Sequence, residues 1–145
     1  CQETNMNHPH AAVAVTQLPQ PYRVQLNDNL GHQWLSDEPE DAGGQNTATT
    51  PDRMLLGALG ACTAITLRMY AQRKGWPLTG VTVDLQLNPQ GKPEAGAGND
   101  IARVIRLEGD LDAGQRARLM QIADACPVHK LLTGQVRVST TEAAA

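Results

Sequence analysis

Apolar and polar residues alternate through Tyr22-Arg-Val-Gln-Leu26, which predicts a strand, and Asn27-Asp-Asn-Leu-Gly31 supplies turn residues before His32-Gln-Trp-Leu-Ser36, its antiparallel partner. Residues 1 to 20 show no sustained period and are read as an extended or disordered lead-in, leaving 21–141 as a single domain. Asp37 to Thr49, with Pro39 and Gly43-Gly44, reads as a loop. At Thr50-Pro51-Asp52 the period changes: a hydroxyl cap, a proline at the first helical position and an acid against the positive helix end predict a helix start. Basic Arg73-Lys74 followed by Gly75 and Pro77 predict its end. A helix of about 24 residues is about 36 Å long, and this one is apolar on nearly every face, so it should be buried all round. Gly57, Ala58, Gly60, Ala61 and Ala64 give it a small-residue surface, which predicts that two copies meet across a homodimer. Farther on, Val81–Leu87 and Ile101–Gly109 alternate as strands joined by the Pro- and Gly-containing stretch from Asn88 to Asp100. Asp112 caps a second helix with Leu119, Ile122 and Ala123 inward and Arg116 and Arg118 toward solvent. That helix ends or kinks at Cys126, because Pro127 follows; Val128 to Leu132 make one more turn, and Gln135–Thr140 alternate as a last strand.

Composition narrows the function classes. The chain has 145 residues and a formal net charge of −3 with no Lys/Arg-rich run, which gives no footprint for nucleic acid or anionic lipid. The long apolar run is interrupted by Arg68, Gly57 and Gly60, and no basic start with an apolar segment and cleavage site is seen, so a soluble, cytoplasmic protein with no membrane partner is expected. Aromatic residues make up 3% and phenylalanine is absent. The core must therefore come from Leu, Val, Ile, Ala and Met, and so small a monomer would gain from burial against a partner subunit.

Three cysteines are too few, and odd in number, for a structural disulfide framework. Cys1, among five residues that precede Met6, is read as incidental. Cys62 lies deep in the almost uncharged helix and Cys126 at the end of the amphipathic one. Two thiols presented from two helix contexts point to a dithiol that cycles between reduced and disulfide forms, hence a redox enzyme. The competing account of each is a small buried hydrophobe. A metal site of Cys62, Cys126 and His129 has no CxxC pair to support it, and His129 is read as a packing or hydrogen-bonding group; His8 and His10 are read as solvated.

The stretch Asp37-Glu-Pro, Gly43-Gly44, Thr50-Pro51, Ala58-Leu-Gly-Ala-Cys62-Thr and Arg73-Lys-Gly-Trp-Pro77, followed by Gly109-Asp-Leu-Asp112 and Cys126-Pro-Val-His-Lys130, resembles the OsmC/Ohr family of osmotically inducible and organic hydroperoxide resistance proteins, nearest its OsmC-like branches. The resemblance covers about residues 22 to 140. It implies an α+β fold with antiparallel sheets wrapped around a long central helix, an intertwined homodimer, and an antioxidant thiol peroxidase that reduces organic hydroperoxides.

A peroxidatic cysteine attacks as thiolate, while an ordinary thiol with a pKa near ~8.5 is mostly protonated at neutral pH. Cys62 lies several turns inside its helix, beyond the reach of the helix dipole, so a cation is required. The resemblance implies an arginine held by an acid from the Thr-Pro turn, here Arg23 with Asp52. Arg53 stands where relatives carry a glutamate and is the alternative cation. Asp52 and Cys62 are separated by about 15 Å along one helix, so a shared site would be composite, with Cys62 and Cys126 from one subunit and Asp52, with Arg23, from the other. Cys62 would become a sulfenic acid, Cys126 would condense with it to a disulfide, and a small external dithiol, dihydrolipoyl-type by resemblance, would reopen the bond with no bound cofactor or metal. A dimer that only binds a small apolar molecule in the same pocket is the alternative from another class.

Overall fold

The computed structural model describes residues 10–144; Cys1 and His8 lie outside them. The chain divides into two compact units, one reaching to Met54 and the other beginning at Leu55.

The first unit holds an antiparallel three-stranded sheet in the order β1 (Val13–Gln17), β2 (Val24–Asp28), β3 (Gln33–Ser36). The expected hairpin is present, with Leu26 opposite Trp34, and its turn is closed by Asp28, whose carboxylate accepts from the N–H groups of Leu30 and His32. Strand β1 falls in the lead-in, where no period was read: Val13 and Val15 alternate for only five residues, all exposed, and pair with β2 through Val13 opposite Asp28. Beyond β3, Asp37 organises the loop toward the helix. Its carboxylate accepts from Glu38 N–H at 2.7 Å, Thr47 N–H at 3.0 Å and the Thr47 hydroxyl at 2.7 Å. A Cβ on Gly44 would lie 2.1 Å from the Glu38 carbonyl oxygen, so this turn needs glycine.

The Thr47 hydroxyl, then the loop N–H groups, hold the Asp37 carboxyl at about 2, below its ordinary 3.8. A carboxylate whose pKa is depressed by folding stabilises the fold fully above its unfolded value and loses that contribution as pH falls through the folded one. Asp37→Asn is therefore expected to be less stable than the wild type at about pH 6, with the gap closing between about pH 4 and about pH 2. Denaturant titrations across that range check it; a gap independent of pH would contradict it.

Helix α1 (Pro51–Lys74) runs over the expected residues, with Thr50 Oγ1 accepting from Arg53 N–H at 3.4 Å as the cap. In the second unit its Leu59, Thr63, Leu67 and Ala71 form one buried row at a spacing of four. Leu67 and Ala71 pack with Leu78, Leu111, Leu119 and Ala123 to make the core. The expectation of burial on every face is met on this side only. Leu55, Ile65 and Met69 are exposed at 47%, 54% and 43%, and Ala58 and Ala61 continue that open stripe. By length and composition α1 is apolar enough to cross a membrane, yet its buried row packs as the core helix of a folded unit. Gly60, expected on the small-residue surface for a partner, instead faces its own chain: a Cβ there would lie 2.8 Å from Leu85 Cδ1.

Strands β4 (Leu78–Leu87) and β5 (Ile101–Gly109) form the long-loop hairpin, with Val83 opposite Ile105 and Leu85 opposite Arg103. Helix α2 (Ala113–Ala123) starts with a capping box, in which Asp112 accepts from Gln115 N–H and the Gln115 side chain accepts from Asp112 N–H. Leu119 and Ala123 are buried as expected. Arg116, expected toward solvent, does more: its guanidinium donates to the carbonyls of Leu107, Gly109 and Leu111, tying α2 to the end of β5. Cys126 lies past α2 and caps a third helix, α3 (Pro127–Thr133), which Gly134 ends. The strand expected over Gln135–Thr140 is not formed: these residues are exposed and outside regular structure. Their alternation marks a strand that finds no neighbouring edge in the single chain, since a strand needs a partner for its backbone groups.

Candidate active site

Two features of sequence bring the thiols together. On α1, Cys62 directly precedes Thr63 of the buried row and is half-buried. Pro127 disfavours helical backbone at Cys126, whose φ of −64° and ψ of 136° break the chain between α2 and α3. Cys126 is fully buried, and its sulfur accepts from His129 N–H at 3.3 Å. Both thiols are free, and Cys126 is a near neighbour of Cys62 that acts on its thiol.

Burial pushes the Cys62 thiol up, and the neighbouring Cys126 adds to that rise. The Val128 backbone and the Thr66 side chain pull the other way. The groups acting most strongly on Cys62 include no cation. Burial and the second thiol win within the chain, so the thiolate that peroxide chemistry needs is not favoured by these neighbours alone.

A residue that pattern reading passed over bonds to both segments that carry the thiols. Arg103 is on the inward row of β5 with Ile101, Ile105 and Leu107, and its side chain is 12% exposed. Its guanidinium donates to Thr63 Oγ1 at 3.1 Å, to the Ala123 carbonyl at 3.4 Å and to Asp124 Oδ1 at 2.8 Å. His129 Nδ1 lies 3.8 Å from the same Asp124 oxygen. A cavity of about 380 Å³ opens next to this cluster, lined by Leu59, Ile101, Leu132, Arg103, His129 and Asn99, among others. The signal in the sequence was a lone charge in phase with an apolar alternation.

The other expected site residues lie in the first unit. Asp52 accepts from the Thr50 hydroxyl, from Arg53 N–H at 2.9 Å, and has the Arg53 guanidinium at 3.8 Å. The Thr50 hydroxyl, and then Arg53, hold its carboxyl below the usual value. Arg53 also donates to Thr50 Oγ1 at 3.0 Å. Arg23 precedes β2, with its Nε buried and lacking a hydrogen-bond partner among the described residues. Within this unit Asp52 is thus paired with Arg53 and not with Arg23. Asp52 and Cys62 stand on one continuous helix, about 15 Å apart along its axis, so the chain does not bring them to one point. Among the described residues no three His, Cys, Asp or Glu side chains cluster to hold a metal.

A family model for OsmC-like proteins matches residues 44–141. None of the curated proteins matches in sequence. Among solved structures, an OsmC-like protein from Mycoplasma pneumoniae is similar at a TM-score of 0.73 and 16% identity, over 88% of this chain and 89% of the other. An organic hydroperoxide resistance protein OsmC from Legionella pneumophila superposes at 0.65 with 19% identity, over 88% and 91%. The organic hydroperoxide resistance protein OhrB of Bacillus subtilis gives 0.59 and 20%, over 87% and 92%. At these identities the structural likeness speaks for the fold: α+β, with antiparallel sheets and a long helix.

Proposed function

Since this chain belongs to the OsmC-like protein family, we propose that it is a thiol-dependent peroxidase that reduces organic hydroperoxides to alcohols, with Cys62 as nucleophile and Cys126 as resolving thiol. One observation carries the reading: a half-buried free thiol has a fully buried free thiol from another part of the chain as its neighbour. The Cys62 thiolate attacks the terminal peroxide oxygen, the O–O bond breaks, and the alkoxide leaves with a proton as alcohol. Cys62 is then a sulfenic acid. Cys126 displaces its hydroxyl, releasing water and forming the disulfide. An external dithiol returns two electrons, and because Cys126 is the buried partner, its attack falls on the Cys62 sulfur. Organic peroxides are favoured over hydrogen peroxide by apolar surroundings such as Leu59 and Leu132 in the neighbouring cavity.

The raised Cys62 pKa calls for a cation, and the open stripe of Leu55, Ile65 and Met69 calls for a cover. A homodimer through α1 answers both, with Arg23 and Asp52 of the second copy supplied to Cys62 of the first. Mixing Cys62→Ser and Asp52→Ala subunits tests this, because only heterodimers contain one intact composite site. Partial recovery of peroxide consumption is expected, up to about half of wild type per heterodimer. No recovery, with mixed dimers shown to form, would count against shared sites.

A non-catalytic apolar-ligand binder is the second reading. It predicts thiols that oxidise no faster with cumene hydroperoxide than free cysteine does, whereas the peroxidase predicts rapid peroxide consumption by the dithiol-reduced protein and turnover when a dihydrolipoyl-type dithiol is supplied.

A further inference from the structure

Arg103 occupies a position that costs stability unless its charge is paired. It lies on the apolar row of β5, opposite Leu85, where an uncompensated guanidinium would be strongly unfavourable. The acceptors that compensate it are not scattered. Thr63 is the residue after Cys62, Ala123 is the last residue of α2, and Asp124 begins the turn that leads into Cys126. A single planar side chain thus fastens both thiol-bearing segments to one strand. From Asp124 the linkage continues to the His129 ring at 3.8 Å, and the His129 backbone N–H holds the Cys126 sulfur. The segment carrying Cys126 is therefore held before and after the thiol.

We propose that Arg103 is a positioning residue for the thiol pair: by clamping Thr63 to Ala123 and Asp124 it sets the effective concentration of Cys126 toward Cys62, and so the reduction potential of their disulfide. The inference rests on the reading that these thiols form a redox pair. Lysine cannot replace the arginine, because a single ammonium does not offer a rigid fork to three acceptors on two segments. A looser clamp leaves Cys126 free to move away, which disfavours the disulfide and slows its closure after Cys62 is oxidised.

The test is equilibration of the reduced protein with glutathione redox buffers and quantification of the Cys62–Cys126 disulfide by mass, which needs no peroxide. Arg103→Lys and Asp124→Asn are expected to lower the equilibrium constant for disulfide formation about tenfold, a shift of about 30 mV toward a more oxidising potential. With peroxide, a trappable Cys62 sulfenic acid should accumulate in both variants. Arg106→Met, on the outward row of the same strand, and Leu26→Ala, a truncation of a buried side chain in the first unit, are expected to stay within about twofold of wild type. The second control separates positioning from general loss of stability. Should Arg103→Lys fail to fold, Asp124→Asn carries the same test with two of the three Arg103 partners intact. Variants that fold and match the wild-type equilibrium would overturn the clamp while leaving the peroxidase reading standing. A wild type that forms no such disulfide in any buffer would overturn both.

Discussion

Cys62→Ser is expected to lower consumption of an organic hydroperoxide by a factor on the order of 10³ or more, with little loss of stability. The large effect follows from the chemistry: a hydroxyl in place of the thiol cannot form the sulfenic acid, so no later step can begin. The small structural effect follows from position, since Cys62 flanks the buried row of α1 and is only half covered. Cys126→Ser should behave differently. Its first oxidation proceeds, but the sulfenic acid persists and is lost to over-oxidation in excess peroxide, so a single turnover is seen where the wild type cycles. Stopped-flow peroxide consumption on the reduced proteins, followed by intact mass, distinguishes the two. Equal loss at the first step in both variants would show that Cys126 activates Cys62 instead of resolving it.

Ile65→Arg is expected to split the dimer and remove most activity together. Ile65 is 54% exposed in the single chain, midway along the stripe that includes Leu55 and Met69, so a guanidinium there leaves the core of its own unit intact. Opposite a second α1, the same charge would be buried without a partner, a cost of several kcal/mol at each of two symmetric positions. Sedimentation should show a monomer for the variant and a dimer for the wild type. The Cys62 thiol of the variant should also titrate above an ordinary thiol, because burial and Cys126 raise it within the chain and the partner's cation is gone. The pH dependence of alkylation gives that value. For a thiol, a raised pKa means less thiolate at every pH below it, so iodoacetamide labelling near neutral pH should be slower in the variant. An Ile65→Arg protein that remains dimeric and active would show that this stripe is not the interface.

The parts of the fold that could be read from sequence are those whose signals are local. Helix α1 begins at Pro51 and ends at Lys74 because a Thr-Pro start and a Lys-Gly stop are chemical statements about those few residues. The capping box at Asp112 and Gln115 is of the same kind. The failures involve partners. Val13 and Val15 form β1 only because β2 offers an edge, and Val136 and Val138 alternate equally well yet stay exposed outside a strand for lack of one. In the site, the Cys62 and Cys126 pair was legible because each thiol sits in a distinctive local context, and Pro127 announced the break at Cys126. Arg103 was not, because its meaning depends on Thr63 and Asp124, which are distant in sequence and near in space. Burial of α1 on all sides was overstated for a related reason: composition shows that a surface wants cover but not which molecule supplies it.

The central claim is that peroxide drives Cys62 and Cys126 into a disulfide. The most direct measurement is peptide mass mapping of the reduced protein after addition of stoichiometric cumene hydroperoxide. The account predicts rapid loss of two hydrogen masses, one equivalent of cumyl alcohol and a single cross-linked peptide pair joining Cys62 to Cys126. Two free thiols after the peroxide has been offered, or a Cys62 oxidised while Cys126 stays reduced beside it, would contradict it.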